Sequence, residues 1–333
     1  MKSLLKTLTE TFAPSGYEDA VRQIIQKEVK PYADEIRVDA MGSLIVHKKP
    51  TVKAKNSRRI MLAAHMDEIG VIVSHVDKNG FVRFTSNGGV FGRYTLGARV
   101  RFMNGATGVI GFDKLESVND APPMSKMYID MGAKSRKDCP VKVGDFGAFD
   151  RDYIEMGGRL VAKSMDDRSG VVVLIEALKS IKSTPNDLYF VFTTQEEVGV
   201  RGAGTAAYGI DPEIGIAIDV TGTGDTPASL KMAMELGKGP CVKVRDPGML
   251  SDPRVVEWMA STAEKAKIPY QREVLLVGST DARAIQVSRA GVMAGALSIP
   301  CRYIHSASEM VDYEDLVNSV KLLTALLSKP VSF

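Results

Sequence analysis

Cysteine is scarce in this 333-residue chain: Cys139, Cys241 and Cys301 stand far apart, odd in number and without CxxC spacing. That excludes a disulfide framework and a thiolate metal knuckle, and it fits a reducing compartment. Charge of one sign is also lacking: 43 basic against 40 acidic residues leave +3, too little to indicate a nucleic-acid partner, and the pI of about 8.6 adds nothing to that. No apolar run reaches the length of a membrane span, and the run near Leu4, Leu5 and Leu8 is interrupted too early for a signal segment. The expectation is a cytoplasmic protein with no membrane partner. Histidine is sparse too, four in all, so the position of each carries information.

What is present is an ordinary globular composition, 44% hydrophobic and 25% charged, long enough for two domains. The chain opens with two short helices, the second stopped by Pro31, then strand-like pieces at 35–38 and 43–47. A basic polar stretch, 48–59, reads as a solvated loop or hairpin tip before the apolar strand 60–64. From 68 to 158 the texture changes to short alternating runs (70–76, 81–84, 99–102, 108–112, 126–129 and 146–149) punctuated by Gly, Pro, Asp and Asn, with no helical period. That pattern predicts a small β-barrel or sandwich inserted into an α/β domain. Helices expected at 169–181, 203–208, 253–266, 281–289 and 313–328 then alternate with strands at 214–218, 270–277 and 292–298. The outer α/β domain is therefore discontinuous, residues 1–67 and 159–333, with no internal repeat or low-complexity tract.

The chemistry gathers at the ends of apolar runs. Residues 188–199 form a β-branched and aromatic run that closes on Glu196, Glu197 and Gly199. Such near-continuous apolar runs are central parallel strands, and open α/β sheets collect their chemistry at the carboxyl edge. Successive strand residues face opposite ways, so one glutamate can bind a metal while the other holds a water. Taken alone, an isolated Glu-Glu pair is more often a solvated loop opening. But His65 and Asp67, Asp166 and Asp167, Asp219, and His305 follow other apolar runs in the same manner. Each of these has its bland reading as a cap, turn or loop residue; five such sites in one chain do not share it.

Imidazole and carboxylate without thiolate suit Zn²⁺, Co²⁺ or Mn²⁺. Two histidines and three carboxylates exceed one catalytic zinc and match two metals about 3.5–4 Å apart, sharing a bridging aspartate and a water. Glu196 is then the general base for that water, and Asp67 the acceptor that orients the other ring nitrogen of His65. His47 and His75 show no partner pattern and read as structural or exposed, and the sixteen methionines as core or interface filler.

The blocks His65-x-Asp67-Glu68-Ile69-Gly70, Ser164-Met165-Asp166-Asp167-Arg168, Glu196-Glu197-Val198-Gly199, Ile218-Asp219-Val220-Thr221 and Arg302-Tyr303-Ile304-His305-Ser306 resemble, in order, the signature blocks of the M42 metallo-aminopeptidases. That family includes tetrahedral and glutamyl aminopeptidases and proteins once labelled endoglucanase. The resemblance implies a mixed-sheet α/β/α metallopeptidase domain with an inserted small β-barrel-like domain, 68–158, used for oligomerisation, commonly into tetrahedral homododecamers. It implies two divalent metal ions per subunit: His65 and Asp219 on one, Glu197 and His305 on the other, Asp166 bridging, with Glu196 catalytic and Asp67 orienting. The substrates implied are short peptides with a free N-terminus, and Gly278-Ser279-Thr280-Asp281-Ala282 resembles a loop beside the family's substrate pocket, though it reads equally well as a helix cap. Acidic, basic and neutral N-terminal residues are all taken within that family; for this chain the expectation is neutral or aliphatic.

Two other function classes compete. A glycosidase needs two carboxylates about 5–5.5 Å or 6.5–9.5 Å apart across one bond, and it leaves the histidines without a task. A non-catalytic scaffold would have no reason to keep a full ligand set and base.

Overall fold

A computed structural model describes residues 1–115 and 121–333. The chain begins with α1 (Lys2–Glu10), α2 (Asp19–Val29), β1 (Glu35–Val38), β2 (Leu44–Lys48) and β3 (Arg59–His65). It then forms β4 (Gly70–Val76), β5 (Val82–Asn87), β6 (Arg99–Phe102), β7 (Thr107–Phe112), β8 (Met127–Asp130) and β9 (Phe146–Phe149). After these come β10 (Ile154–Met156), β11 (Arg159–Ala162), α3 (Met165–Ser180), β12 (Asp187–Thr193), α4 (Arg201–Ile210) and β13 (Ile214–Gly222). The last elements are β14 (Cys241–Arg245), α5 (Pro253–Ala266), β15 (Gln271–Val274), α6 (Ala282–Gln286), β16 (Met293–Arg302), β17 (Glu309–Asp312) and α7 (Tyr313–Leu327).

The large sheet is mixed, in the order β1-β2-β12-β3-β13-β16-β17-β11-β10, with β14 and β15 branching from β16. Its centre, β12-β3-β13-β16, is parallel, and the flanking pairs are antiparallel. Every residue of β3 after Arg59 is buried, because both faces are covered. The period of two sorts them: Ile60, Leu62 and Ala64 pack on the side of α3 and α7, while Met61 and Ala63 pack against Ala203, Ala206 and Ala207 of α4. β2 and β3 flank β12 rather than pairing with each other, so the stretch between them is a loop across the sheet and not the hairpin tip that local polarity allowed.

Strands β4 to β9 close into a barrel in the order β4-β5-β8-β7-β6-β9, β9 pairing with both β4 and β6. The alternation of 68–158 therefore resolves as a barrel and not a sandwich, with Val71, Val73, Phe84, Val100, Phe102 and Ile129 in its core; its strands end at Phe149, and β10, also within the expected insert, pairs with β11 in the large sheet instead. Closure brings β4 and β9 so near that a Cβ on Gly70 would lie 2.3 Å from the carbonyl oxygen of Gly147, which only glycine tolerates there. Among the described residues no helix is long and apolar enough to cross a membrane.

Candidate metal centre and active-site cavity

The parallel strands deliver the polar residues to one edge. β3 terminates at His65, which is in register with Thr193 at the end of β12. β13 pairs with β3 only as far as Ala217 and continues along β16 to Gly222. Asp219 thus lies inside its strand, three residues before the strand ends at Gly222 and not just past its end as the apolar run suggested, and it is freed on the side where the pairing with β3 has ended. β16 ends at Arg302, shortly before His305.

Five residues converge there. His65 Nε2 is 2.9 Å from Asp166 Oδ1 and 3.9 Å from Asp219 Oδ1. His305 Nε2 is 3.4 Å from Asp166 Oδ2 and 3.2 Å from Glu197 Oε2. The two oxygens of one aspartate therefore face two different imidazoles, with Asp219 on the His65 side and Glu197 on the His305 side. Ligand atoms of His65, Asp166 and Glu197 lie within 4.8 Å of one another, as do those of His65, Asp167 and Asp219.

Glu196 and Glu197 are not carried on the strand itself, as the alternation argument assumed. β12 ends at Thr193, and Gln195 turns the chain into the left-handed region with φ 56°. The directions of the two glutamates are set by Asp67, whose Oδ1 accepts the Glu196 N–H at 3.0 Å and whose Oδ2 accepts the Glu197 N–H at 3.1 Å. Asp67 Oδ2 also accepts the Ser15 hydroxyl at 2.6 Å, and Oδ1 stands 3.4 Å from His65 Nδ1. The same ring nitrogen is 3.2 Å from the Asp67 carbonyl oxygen, so two acceptors of one residue address it.

Burial and crowding set the electrostatics. Burial would raise Asp166, but its bonds to His305 and His65 hold it well below the usual carboxylate range. Against the desolvation that would lower it, Glu197 and Asp166 push His305 up to about 12, and Asp166 and Asp67 raise His65 in the same way. Glu196, Glu197, Asp167 and Asp219 are all pushed up, by burial first and by neighbouring carboxylates next. Among the described residues no Lys or Arg forms an ion pair with Asp166, Asp167, Glu197 or Asp219, and Glu197 Oε1, although buried, has no hydrogen-bond partner. Desolvated anions without paired cations are costly. Imidazoles and carboxylates in this arrangement fit divalent cations, which would supply the missing positive charge.

Several contributors had no role assigned from the sequence. Glu309, the first residue of β17, is buried and spans the centre from behind: its Oε2 accepts the Asp166 N–H at 2.9 Å and its Oε1 the His305 N–H at 2.8 Å. It holds His305 in a left-handed conformation, φ 62°, which a non-glycine residue adopts only when its surroundings impose it. Asp167 is occupied by the N–H groups of Gly170 and His65, at 2.9 Å and 3.3 Å. Glu68 is buried with Lys163, Ser164 and Arg168 and accepts the Ala13 N–H at 2.8 Å, tying α1 to the floor of the site. Glu309 stands in no local pattern, and although Glu68 and Asp167 fall in the blocks singled out, their roles were not legible there because His65, Lys163 and most of the other groups they meet come from distant segments. His47, by contrast, bonds Asp187 at 2.6 Å and stacks on Tyr189, the structural role expected of it.

Asp166, Glu196, Glu197, Asp219 and His305 form one end of a cavity of about 470 Å³; His65 and Asp67 lie behind its wall. Gly278 and Ser279 line it, so the 278–282 loop borders the cavity as well as leading into α6. The barrel reaches in through Gly89 and Phe91, the latter ring 6.0 Å from that of His305.

The family model described as M42 glutamyl aminopeptidase matches residues 42–322. An aminopeptidase from the archaeon Desulfurococcus kamchatkensis is 41% identical, with a TM-score of 0.94 over 99% of this chain and 94% of that one. The lysyl aminopeptidase of Pyrococcus furiosus is 35% identical over 99% of this chain and 98% of its own length. The TET1 peptidase of Pyrococcus horikoshii, which can assemble into a tetrahedron or a large octahedral shell, is 34% identical, with a TM-score of 0.86 over 98% of each chain.

Proposed function

The chain belongs to the M42 peptidase family and is an aminopeptidase of that family, and on that premise we propose how its cavity works. Two divalent ions per subunit would be held, one by His65 and Asp219, the other by His305 and Glu197, with Asp166 available to both. The observation that carries this reading is the pair of imidazoles facing opposite oxygens of Asp166, at 2.9 Å and 3.4 Å. Zn²⁺ or Co²⁺, and Mn²⁺ after them, suit the donor set. Bound divalent ions would polarise the scissile carbonyl and acidify the attacking water.

The protein's own groups do the rest. Glu196 lines the cavity, and burial, with the Asp219 carboxylate nearby, raises its carboxyl above the usual carboxylate range, the direction that strengthens it as a base. It takes the water's proton on its carboxylate and hands it to the departing amine. Asp67 keeps Glu196 and Glu197 in place through their backbone N–H groups and fixes the His65 ring. The substrates are short peptides with a free N-terminus. Residues 1–67 and 159–333, joined by β10, form the catalytic domain, and the barrel within 68–158 is the domain for self-association, into a tetrahedral homododecamer. The barrel's exposed apolar side chains, among them Met103, Val109, Phe112 and Val143, support that assembly, as does the shell formed by the Pyrococcus horikoshii relative. A cytoplasmic setting follows from the three unpaired cysteines.

The test is hydrolysis of aminoacyl p-nitroanilides by protein as isolated, after chelation and after return of Zn²⁺, Co²⁺ or Mn²⁺, with Glu196→Gln in parallel. Free-amine substrates should be cut and N-blocked ones not. The Glu196→Gln protein should retain its metal but lose on the order of 10²–10⁴-fold in kcat. Full activity in that variant with metal bound removes the base assignment, and turnover that survives chelation removes the metal centre. Light scattering should give a mass near that of twelve subunits of 36.1 kDa; a dimer would remove the assembly reading.

A further inference from the structure

Beside the catalytic groups the cavity is apolar. Its walls carry Phe91, Leu230, Met232, Leu275, Val277 and Ile304, from the barrel, the 223–240 segment, the stretch following β15 and the turn before His305. Three of these are strongly exposed for their type: Phe91 at 47%, Leu230 at 58% and Val277 at 70%. Among the described residues, the only carboxylates in the lining are those of the catalytic groups, and the one basic side chain besides His305, that of Arg283, is exposed.

Three kinds of N-terminal side chain can be weighed against those walls. A bulky apolar one covers surface that is now wet, and burying a side chain of leucine or phenylalanine size converts to roughly ten- to hundredfold in binding. A lysine can lay its methylenes along the same wall but finds, among the described lining residues, no carboxylate beyond those committed to catalysis, so its ammonium stays in water. A glutamate can reach only Arg283, and an ion pair in water contributes at most about fivefold while the apolar wall stays uncovered. The balance favours apolar side chains over both charged classes.

We propose that the enzyme selects peptides with a bulky uncharged N-terminal residue, of the leucine, methionine and phenylalanine class, received between Phe91 of the barrel and the Met232–Val277 side of the cavity. The proposal rests on the peptidase reading above and adds the substrate class. It also makes Phe91, a residue of the barrel, part of substrate recognition.

The experiment is kcat/KM for the metal-loaded enzyme on leucyl, methionyl, phenylalanyl, alanyl, glutamyl and lysyl p-nitroanilides, repeated with Phe91→Ala and Met232→Glu. The three bulky apolar substrates should exceed the glutamyl, lysyl and alanyl ones at least tenfold. Phe91→Ala should raise KM for the leucyl and phenylalanyl substrates several-fold more than it raises KM for the alanyl substrate. Met232→Glu, which places a carboxylate in the apolar wall, should narrow the leucyl-to-lysyl ratio at least tenfold. Circular dichroism and metal content check that each variant is folded and loaded. If the lysyl or glutamyl substrate matches the leucyl one, or both variants leave every ratio within twofold, the inference is overturned and the peptidase reading stands. If no member of the panel is cut in any metal state, the peptidase reading fails and the inference with it.

Discussion

Gly89 offers the sharpest perturbation of this site. A Cβ built on it would lie 2.4 Å from His305 Nδ1 and 2.5 Å from His305 Cε1, where ordinary contact begins near 3.4 Å. The backbone at Gly89 is not in the left-handed region, so alanine is excluded by the imidazole and not by its own φ and ψ. His305 must yield by about 1 Å, and a displacement of that size in a catalytic constellation costs about 10²-fold. The ring is 24% exposed, towards the cavity, and can move that way without opening the core. Stability should therefore fall by no more than about 1–3 kcal/mol, the usual range for overpacking. In Gly89→Ala the expectation is kcat/KM on leucyl p-nitroanilide down about 10²-fold, weaker retention of one of the two metals in dialysis followed by elemental analysis, and a thermal transition within a few degrees of wild type. A Gly89→Ala protein with wild-type turnover and full metal content would refute the argument that the barrel loop constrains His305.

Two further expectations test other parts of the structure. Asp67→Asn leaves one oxygen where two are used, so an amide N–H confronts either the Glu196 or the Glu197 N–H and a buried donor goes unpaired, a loss of about 1–3 kcal/mol; metal affinity should drop about 10–100-fold, and a variant that holds metal like wild type would count against the orienting role. Asp315 is buried at the start of α7, accepts the N–H groups of Gly237 and Gly239 at 2.7 Å each, and is raised by burial from 3.8 to about 6. A carboxyl raised on folding is penalised when ionised, so its cost, about 3 kcal/mol in full, is present above about pH 6 and absent below its unfolded value near 4. Wild type should gain stability relative to Asp315→Asn as pH falls through that window in urea titrations, and a pH-independent difference would remove the assignment.

Much of the fold was legible because it is local. The alternation over 68–158 is the barrel's period of two, and the short apolar runs with helical segments between them are the parallel centre of the sheet. Corrections came where tertiary partners intervene. α6 spans only Ala282–Gln286, although the apolar pattern suggested a helix to 289, and β16 runs on to Arg302, past the expected 298, because β13 and β17 supply its partners. The 48–59 stretch became a crossing loop because β12, more than a hundred residues later, inserts between β2 and β3.

The candidate site divides along the same line. Sequence by itself determined which residue types were available and that they follow apolar runs, since a buried strand must end where polar side chains can reach water. Only the tertiary structure decided that Asp166 stands between His65 and His305, that Asp67, just past β3, aims both glutamates of the loop beyond β12, that Glu309 clamps Asp166 and His305 from behind, and that the barrel places Gly89 and Phe91 against the cavity. Local periodicity reflects burial, which each residue registers alone, whereas a site is a set of distances between segments far apart in the chain, and those exist only once the sheet has set its strand order.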